Sequence, residues 1–382
     1  MAERPLIILG ASARAAAQSA VRSGFSPHAI DWFGDADLRA IASVTQIQRY
    51  PVEFLRAIAA APNAPWMYTG GLENYSRLVA RLARLRPLLG NRPATLQKVR
   101  DPQWLAATLR GMPIRFPQTI TSADSFSDLA GDWVRKPRRS GGGLGIKRLT
   151  QDSSAASPAS GSLLQRYIPG ESLSACFLAH GNQVEWIGAA EQWIGTDWEA
   201  PCEFQYAGSL SPATISESER RSLLDLAHRL TVAAGLQGLF GFDLIRDPQG
   251  LWLIEVNPRY TASMELHERR TGRALIAEHC ATFEEDSHST RQLAPGPASA
   301  FDGKLIVYAT SAGRPGDSLR EVLRAIANNG ITAADMPVDN TPIPAHSPIC
   351  TLFASGGERD SIRQTLLAAA REVRDTLAPS SM

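Results

Sequence analysis

The stretch that most constrains this chain runs from Gly238 to Ser263, GLFGFDLIRDPQGLWLIEVNPRYTAS. Two apolar runs, Leu239 to Ile245 and Leu251 to Val256, flank Arg246-Asp247-Pro248-Gln249-Gly250. Runs of that length around an Asp-Pro…Gly turn predict an antiparallel hairpin. Side chains alternate along a strand, so Glu255 and Asn257 share a face, and a simple register brings Asp243 to it. Carboxylates on an otherwise apolar sheet need a partner, because burying them unpaired is costly. Oxygen-only donors suit a hard cation such as Mg²⁺ (or Mn²⁺), which keeps waters and bridges to substrate phosphates. Asp243, Glu255 and Asn257 are the expected metal ligands. Arg259 projects the same way and is placed to clamp an anion on that metal. A solvated hairpin face is the plainer reading, and the apolar neighbours Phe242, Leu244, Ile254 and Val256 argue against it.

At 382 residues the chain has the length for two or three domains. A formal net charge of +1 gives no reason to expect nucleic acid or an anionic membrane as partner. No apolar run has the length of a membrane span and no secretory pattern opens the chain, so the cytoplasm is the expected compartment. Cys176, Cys202, Cys280 and Cys350 lie far apart without a Cys-x-x-Cys pair, which suggests neither zinc nor a disulfide framework. The cations are almost all Arg; the lysines are Lys98, Lys136, Lys147 and Lys304. A chain that defaults to Arg points to a need for a compact ammonium where it does place Lys.

The chain opens with a short buried strand, Pro5 to Gly10, then a helix-forming run to Ala20, and resumes as a strand at His28 ending near Asp35. This βαβ start invites a dinucleotide-binding reading, and an NAD-linked oxidoreductase is one alternative. Gly10-Ala-Ser-Ala-Arg14 lacks the second and third glycines of G-x-G-x-x-G, so the expectation is a Rossmann-like unit used for something other than NAD. Helices are expected near Val52–Ala60 and Glu73–Leu85, with a strand at Trp66–Thr69 and a boundary at Pro87–Pro93. Gln97 to Gly111 reads as a short helix opened by Lys98, with Trp104, Leu105 and Leu109 on one face.

Asp132-Trp-Val-Arg-Lys136-Pro-Arg-Arg-Ser140-Gly-Gly-Gly143-Leu-Gly145 delivers a lysine on a strand into a glycine run. Such turns form anion-binding concavities, and a lysine beside one is a point charge for phosphate. No Gly-Lys-Ser/Thr opens a helix afterwards, so this is not a P-loop. A flexible turn is the bland alternative. An exposed polar loop is expected over 151–161. The strand Leu163 to Ile168 ends at Pro169-Gly170-Glu171, strands follow at Leu173–Ala179 and Val184–Gln192, and Ser216–Gly235 is an amphipathic helix. A linker over 281–297 precedes a last segment with strands at Gly303–Ala309 and Ile349–Ala354 and a closing helix at Arg359–Leu377.

Taken in order, the lysine helix, the lysine strand with its glycine loop, the Pro-Gly-ended strand and Asp…Glu-x-Asn-Pro-Arg resemble the ATP-grasp enzymes. The resemblance covers most of the chain. It implies an α/β fold with a Rossmann-like N-terminal domain (1–90), an ATP-grasp module of two α+β subdomains (91–290, hinge near 165–170) and a small β-rich C-terminal domain (298–382). ATP phosphates would meet Lys98, Lys136 and Gly141, Gly142 and Gly143. Adenine would meet the hinge from Gln165 through Arg166 and Tyr167 to Ile168, and Glu171 would lie near the ribose. Many members carry the ribose carboxylate one residue later, where this chain has Ser172. Lys136 and Arg259 are the implied catalytic residues. The implied chemistry is ATP-dependent joining of a carboxylate to an amine through an acyl phosphate, on small-molecule substrates, in an enzyme type that is often a homodimer. Asn257-Pro-Arg-Tyr-Thr-Ala-Ser263 and Pro348-Ile-Cys-Thr-Leu-Phe-Ala354 resemble a subgroup linked to one-carbon cofactor biosynthesis (tetrahydromethanopterin or methanofuran type), with an amino acid such as glutamate as the carboxylate. A non-catalytic nucleotide-binding protein on the same scaffold is the second alternative.

Overall fold

A computed structural model of the chain describes residues 4–121, 131–149, 161–284 and 300–379. The loop expected over 151–161 lies outside them except for Gly161, and only 281–284 of the expected linker are described.

The N-terminal unit begins β1 (Arg4–Gly10), α1 (Arg14–Arg22) and β2 (Phe25–Asp31). It continues through α2 (Ala36–Ile41), β3 (Ser43–Gln46), α3 (Phe54–Ala60), β4 (Trp66–Tyr68) and α4 (Ser76–Leu82). The four strands form a parallel sheet in the order β3-β2-β1-β4. From Leu6 to Gly10 β1 is buried, as a strand covered on both faces must be. α1 starts three residues later than expected because the Ala13 amide turns onto Asp31 Oδ2, at 2.6 Å, before the helix begins. Glu73 falls in a single turn of 3₁₀-helix, Leu72–Asn74, ahead of α4 rather than within it.

The expected lysine helix is two helices, α5 (Pro93–Val99) and α6 (Pro102–Thr108). Pro102 cannot continue a helix through its missing N–H, and Asp101 caps the second one by accepting from the Gln103 amide. A small antiparallel sheet follows, made of β5 (Thr119–Ile120), β6 (Trp133–Pro137), β7 (Lys147–Leu149) and β8 (Ser162–Arg166) in the order β5-β8-β6-β7.

The large sheet takes β9 (Glu171–His180), β10 (Gln183–Ile194) and β11 (Tyr206–Ser211), then the helix α7 (Glu217–Ala234) with a Ser216–Glu219 capping box. The hairpin comes next, as β12 (Gly238–Asp247) and β13 (Gly250–Asn257), followed by α8 (Met264–Thr271) and α9 (Leu275–Ala281). The last segment supplies β14 (Phe301–Tyr308), the short β15 (Gly313–Arg314), α10 (Asp317–Asn328), β16 (Thr332–Ala334), β17 (Pro348–Gly356) and α11 (Arg359–Arg374). The longer strands of this segment do not make a sheet of their own. β14 pairs with β11, so one eight-stranded sheet runs β13-β12-β9-β10-β11-β14-β17-β16. α7 packs Leu223, Leu226, Ala227 and Leu230 into one core beside β9 and β12, and α11 packs Ile362, Leu366 and Ala370 into another over β14 and β17.

Candidate functional site

The hairpin register sets Asp243 directly opposite Glu255 and Gly241 opposite Asn257. Cross-strand partners share a face, so the three expected ligands converge. A bulge between Asp243 and Leu244 shifts the register, so that Leu244 faces Leu253. Asp243 accepts from Gln192 Nε2 and from Asn257 Nδ2, each at 2.9 Å. Burial, and next the Glu255 charge, push the Asp243 carboxyl above its ordinary range. Burial acts the same way on Glu255, yet Arg100, Lys136 and Arg259 together hold it below the usual range. Two facing carboxylates and an amide fit a hard, oxygen-seeking cation, which would relieve the repulsion that raises Asp243. Among the described residues no group of three or more His, Cys, Asp or Glu side chains is arranged to hold a metal ion, so such an ion would rely on Asn257 and on substrate oxygens to complete its shell.

β6, in the small sheet, carries Lys136 to the facing wall. Its ammonium donates to Gln165 Oε1 at 3.2 Å, and burial lowers its pKa while Glu255 opposes that shift. The glycine loop runs on from it. Gly142 and Gly143 have φ of +59° and +77°, and a Cβ on Gly143 would lie 1.7 Å from the Phe204 carbonyl oxygen. Only glycine permits that approach. The Tyr206 amide donates to the Gly142 carbonyl at 3.0 Å and docks the loop on β11. A cavity of about 540 Å³ lies between the two sheets, lined by Lys136, Gly141, Gly143, Asp243, Glu255 and Arg259 among others. A second of about 240 Å³ meets it along Lys136, Gly141, Gly143, Gln165 and Glu255.

Gln165, Arg166, Tyr167 and Ile168 all line the larger cavity, as do Ile245 and Phe204. The Arg166 and Tyr167 amides are already given to Gln118 and Asp132 carbonyls, both at 2.9 Å. Glu171 is not brought to the cavity. It faces Arg246 across β9 and β12 and pairs with it at 2.5 Å, while Ser172, on the other face, lines the cavity. Lys98 is also elsewhere: its ammonium donates to the Ala233 carbonyl at 2.8 Å, in the last turn of α7. Lys98 lies within α5, whereas Arg100, just past its end, is the residue that reaches the site. Arg100 is ion-paired with Glu255 and donates to Asn74 Oδ1 at 2.6 Å.

Arg259 is fixed from three sides. It donates through Nε to Glu73 Oε1 at 2.8 Å, through Nη2 to Asn257 Oδ1 at 3.0 Å and through Nη1 to the Tyr260 carbonyl at 3.2 Å. Glu73 itself is buried on the N-terminal unit. Sequence reasoning missed Glu73, Asn74, Arg100 and Gln192. The available signal was Gly70-Gly71 at the end of β4, since ligand sites gather beyond the carboxyl ends of parallel strands. The larger cavity is also lined by hydroxyls, from Ser174, Tyr206, Ser209, Thr261 and Ser263. Ser174 Oγ is buried and makes no hydrogen bond among the described residues.

Residues 99–263 match the ATP-grasp domain family. Over 175 residues the chain is 27% identical to formate-dependent phosphoribosylglycinamide formyltransferase of Burkholderia pseudomallei (strain 668). That match takes in 45% of this chain and 41% of the relative, so it spans less than half of the relative's length. Among solved structures, L-amino acid ligase from Bacillus licheniformis is similar with a TM-score of 0.72 at 16% identity, covering 99% of both chains. N5-carboxyaminoimidazole ribonucleotide synthetase from Thermus thermophilus gives 0.69 at 15% identity, again over 99% of both. At such identities the likeness shows the fold, and it extends beyond the matched domain to nearly the whole length. The domain match covers the lysine strand, the glycine loop and the carboxylate hairpin together, so residues 99–263 of the chain are an ATP-grasp domain.

Proposed function

We propose that this chain is an ATP-dependent ligase that joins a small carboxylate to an amine. The observation that supports it most is the shared cavity, in which the Asp243–Glu255 pair on the large sheet faces Lys136 and the glycine loop on the small one. Phosphoryl transfer asks a protein mainly for positioning and charge neutralisation. Lys136, the loop amides and Arg100 would hold the ATP phosphates. Arg259 would hold the substrate carboxylate or the acyl phosphate. Asp243, Glu255 and Asn257 would hold Mg²⁺ or Mn²⁺, with the Asn257 amide turning its oxygen from Arg259 towards the ion. Such an ion, when bound, neutralises phosphate charge. Ser172 replaces Glu171 as the side chain nearest a ribose.

In the reaction a carboxylate oxygen attacks the γ-phosphorus, its bond to the β-bridging oxygen breaks and ADP leaves. The amine nitrogen then attacks the acyl carbon, the carbon–oxygen bond to phosphate breaks, phosphate leaves and the nitrogen loses a proton. The hydroxyls that line the cavity together with Arg259 support a small carboxylate. Formate and an L-amino acid appear in the names of similar proteins, and glutamate, with an amine from one-carbon cofactor biosynthesis, is the specific pairing we favour.

Hydroxylamine tests this without knowledge of the amine. Purified protein with Mg·ATP, hydroxylamine and single carboxylates, formate and glutamate included, should release ADP and form a hydroxamate with one of them. A thermal shift with Mg·ATP but no ADP release with any carboxylate would favour a non-catalytic nucleotide-binding protein instead.

A further inference from the structure

We infer that Asn74 is a positioning residue that latches the glycine loop to the N-terminal unit and sets Arg100 on Glu255 at the same time. The inference rests on the ATP reading for its consequence and on the hydrogen bonds alone for its geometry. Asn74 ends the 3₁₀ turn that follows β4, outside the domain that carries the phosphate and metal residues. Its carboxamide has two different ends and both are used. Nδ2 donates to the Ser140 carbonyl at 3.1 Å, the residue just before the glycines. Oδ1 accepts from Arg100 Nη2 at 2.6 Å, and the same guanidinium is paired with Glu255.

The neighbours of Asn74 act on the site's other arginine and on the residue before Ser140. Glu73 holds Arg259 at 2.8 Å, and the Tyr75 ring lies under the Arg139 guanidinium, 5.5 Å from ring centroid to carbon. Three consecutive side chains of the N-terminal unit therefore touch both arginines of the site and both residues that lead into the loop. The loop has no strand pairing of its own between Pro137 and Lys147, so its closed position depends on such side-chain contacts and on the Gly142–Tyr206 bond. Only a carboxamide supplies a donor to a carbonyl and an acceptor to a guanidinium from one side chain of this length. An aspartate in its place would keep the acceptor and lose the donor, which separates the two roles.

Hydrogen exchange on the full chain, without ligand and with Mg²⁺ and a non-hydrolysable ATP analogue, reads the latch directly. The Tyr206 amide, which donates to the Gly142 carbonyl, reports docking of the loop on β11, and the Leu144 and Ile146 amides, which donate to the Gly141 and Gly143 carbonyls, report the turns within it. In Asn74→Asp they should exchange roughly threefold to tenfold faster without ligand, the worth of one hydrogen bond. The dissociation constant of the Mg·analogue should rise by a similar factor, while β9 and β12 keep parental exchange. Asn74→Ala should show the same loop effect and in addition a slower turnover, because Arg100 loses its second anchor. Parental exchange at these three amides in both variants would overturn the latch. So would a uniform acceleration across all strands, which would make Asn74 a stabilising residue only. If the parent itself gives no thermal shift with Mg·ATP, the ATP reading fails, and the ligand-free exchange still decides the latch.

Discussion

Of the two lysines expected near the phosphates, Lys136 lines the cavity, whereas Lys98 tethers the end of α7, and Arg100 is the cation paired with Glu255. Lys136→Ala should therefore weaken Mg·ATP binding by about 1.5–3 kcal/mol, the worth of a charged hydrogen bond in a closed site, and Lys98→Ala should leave the affinity near parental. Calorimetric titration of both variants checks the contrast, and equal losses would remove Lys136 from the phosphate site. Arg100→Ala has a further signature in its pH dependence. Arg100 is the foremost group holding Glu255 below its usual range. Without it that carboxyl rises, so Glu255 takes up its proton at a higher pH and the acid limb of kcat/KM moves up. An acid limb that stays in place would show that Arg100 does not govern Glu255. Glu255→Gln keeps the shape and removes the charge, and should abolish turnover with the fold intact.

At the scale of elements, the hairpin was legible because its information is local. Period-two alternation and an Asp-Pro…Gly turn suffice to put Asp243, Glu255 and Asn257 on one face. The glycine loop was legible as a run of glycines, but which glycine matters depends on a partner far along the chain. Gly143 sits against the Phe204 carbonyl with φ +77°, while Gly141 has nothing within 4 Å of an added Cβ. Gly143→Ala should thus displace the loop, with a left-handed strain of roughly 1–2 kcal/mol before any clash is counted. The KM for Mg·ATP should rise at least about tenfold in Gly143→Ala and stay within about twofold in Gly141→Ala. A similar KM in the two would mean the loop works without docking on β11. The pairing of β11 with β14, which carries the last segment into the large sheet, could not be read from local pattern, since those strands lie far apart along the chain. Arg100 was hidden for a related reason. It lies just past the end of α5, where helical periodicity stops predicting direction.

On the scale of the whole molecule, a network of ion pairs lies at the start of α1, next to the carboxyl ends of β1 and β2 where a dinucleotide would bind. The Ala13 amide is bonded to Asp31, and buried Arg14 bonds Asp335 at 2.9 Å, is ion-paired with Glu265 and lies 3.7 Å from Asp37. Lys304 reaches Glu265 from β14 at 3.1 Å. This junction ties the N-terminal unit to α8 and to the last segment, and it speaks against the NAD-linked alternative. Its carboxylates outnumber its cations, and the excess falls on Asp35. That side chain is buried, its Oδ2 has no hydrogen-bond partner among the described residues, and it does not cap α2. Burial first, then the charges of Asp335, Asp31 and Asp37, push its pKa up to about 8, against the partial relief of Arg14. A carboxyl raised on folding stabilises the fold fully only below its unfolded pKa, and loses that contribution as pH rises through the folded value. The unfolded chain ionises Asp35 near pH 4, so the parent should lose stability steadily from there to about pH 8. Asp35→Asn removes the titration and keeps the shape. Its stability gain over the parent should be small at pH 4, grow to a few kcal/mol by pH 8 and level off above it. Denaturant unfolding of both proteins across that range measures the difference. A gain that does not change with pH would mean that Asp35 is already ionised in the folded junction, and that Arg14 and Lys304 balance its acids without help from a proton.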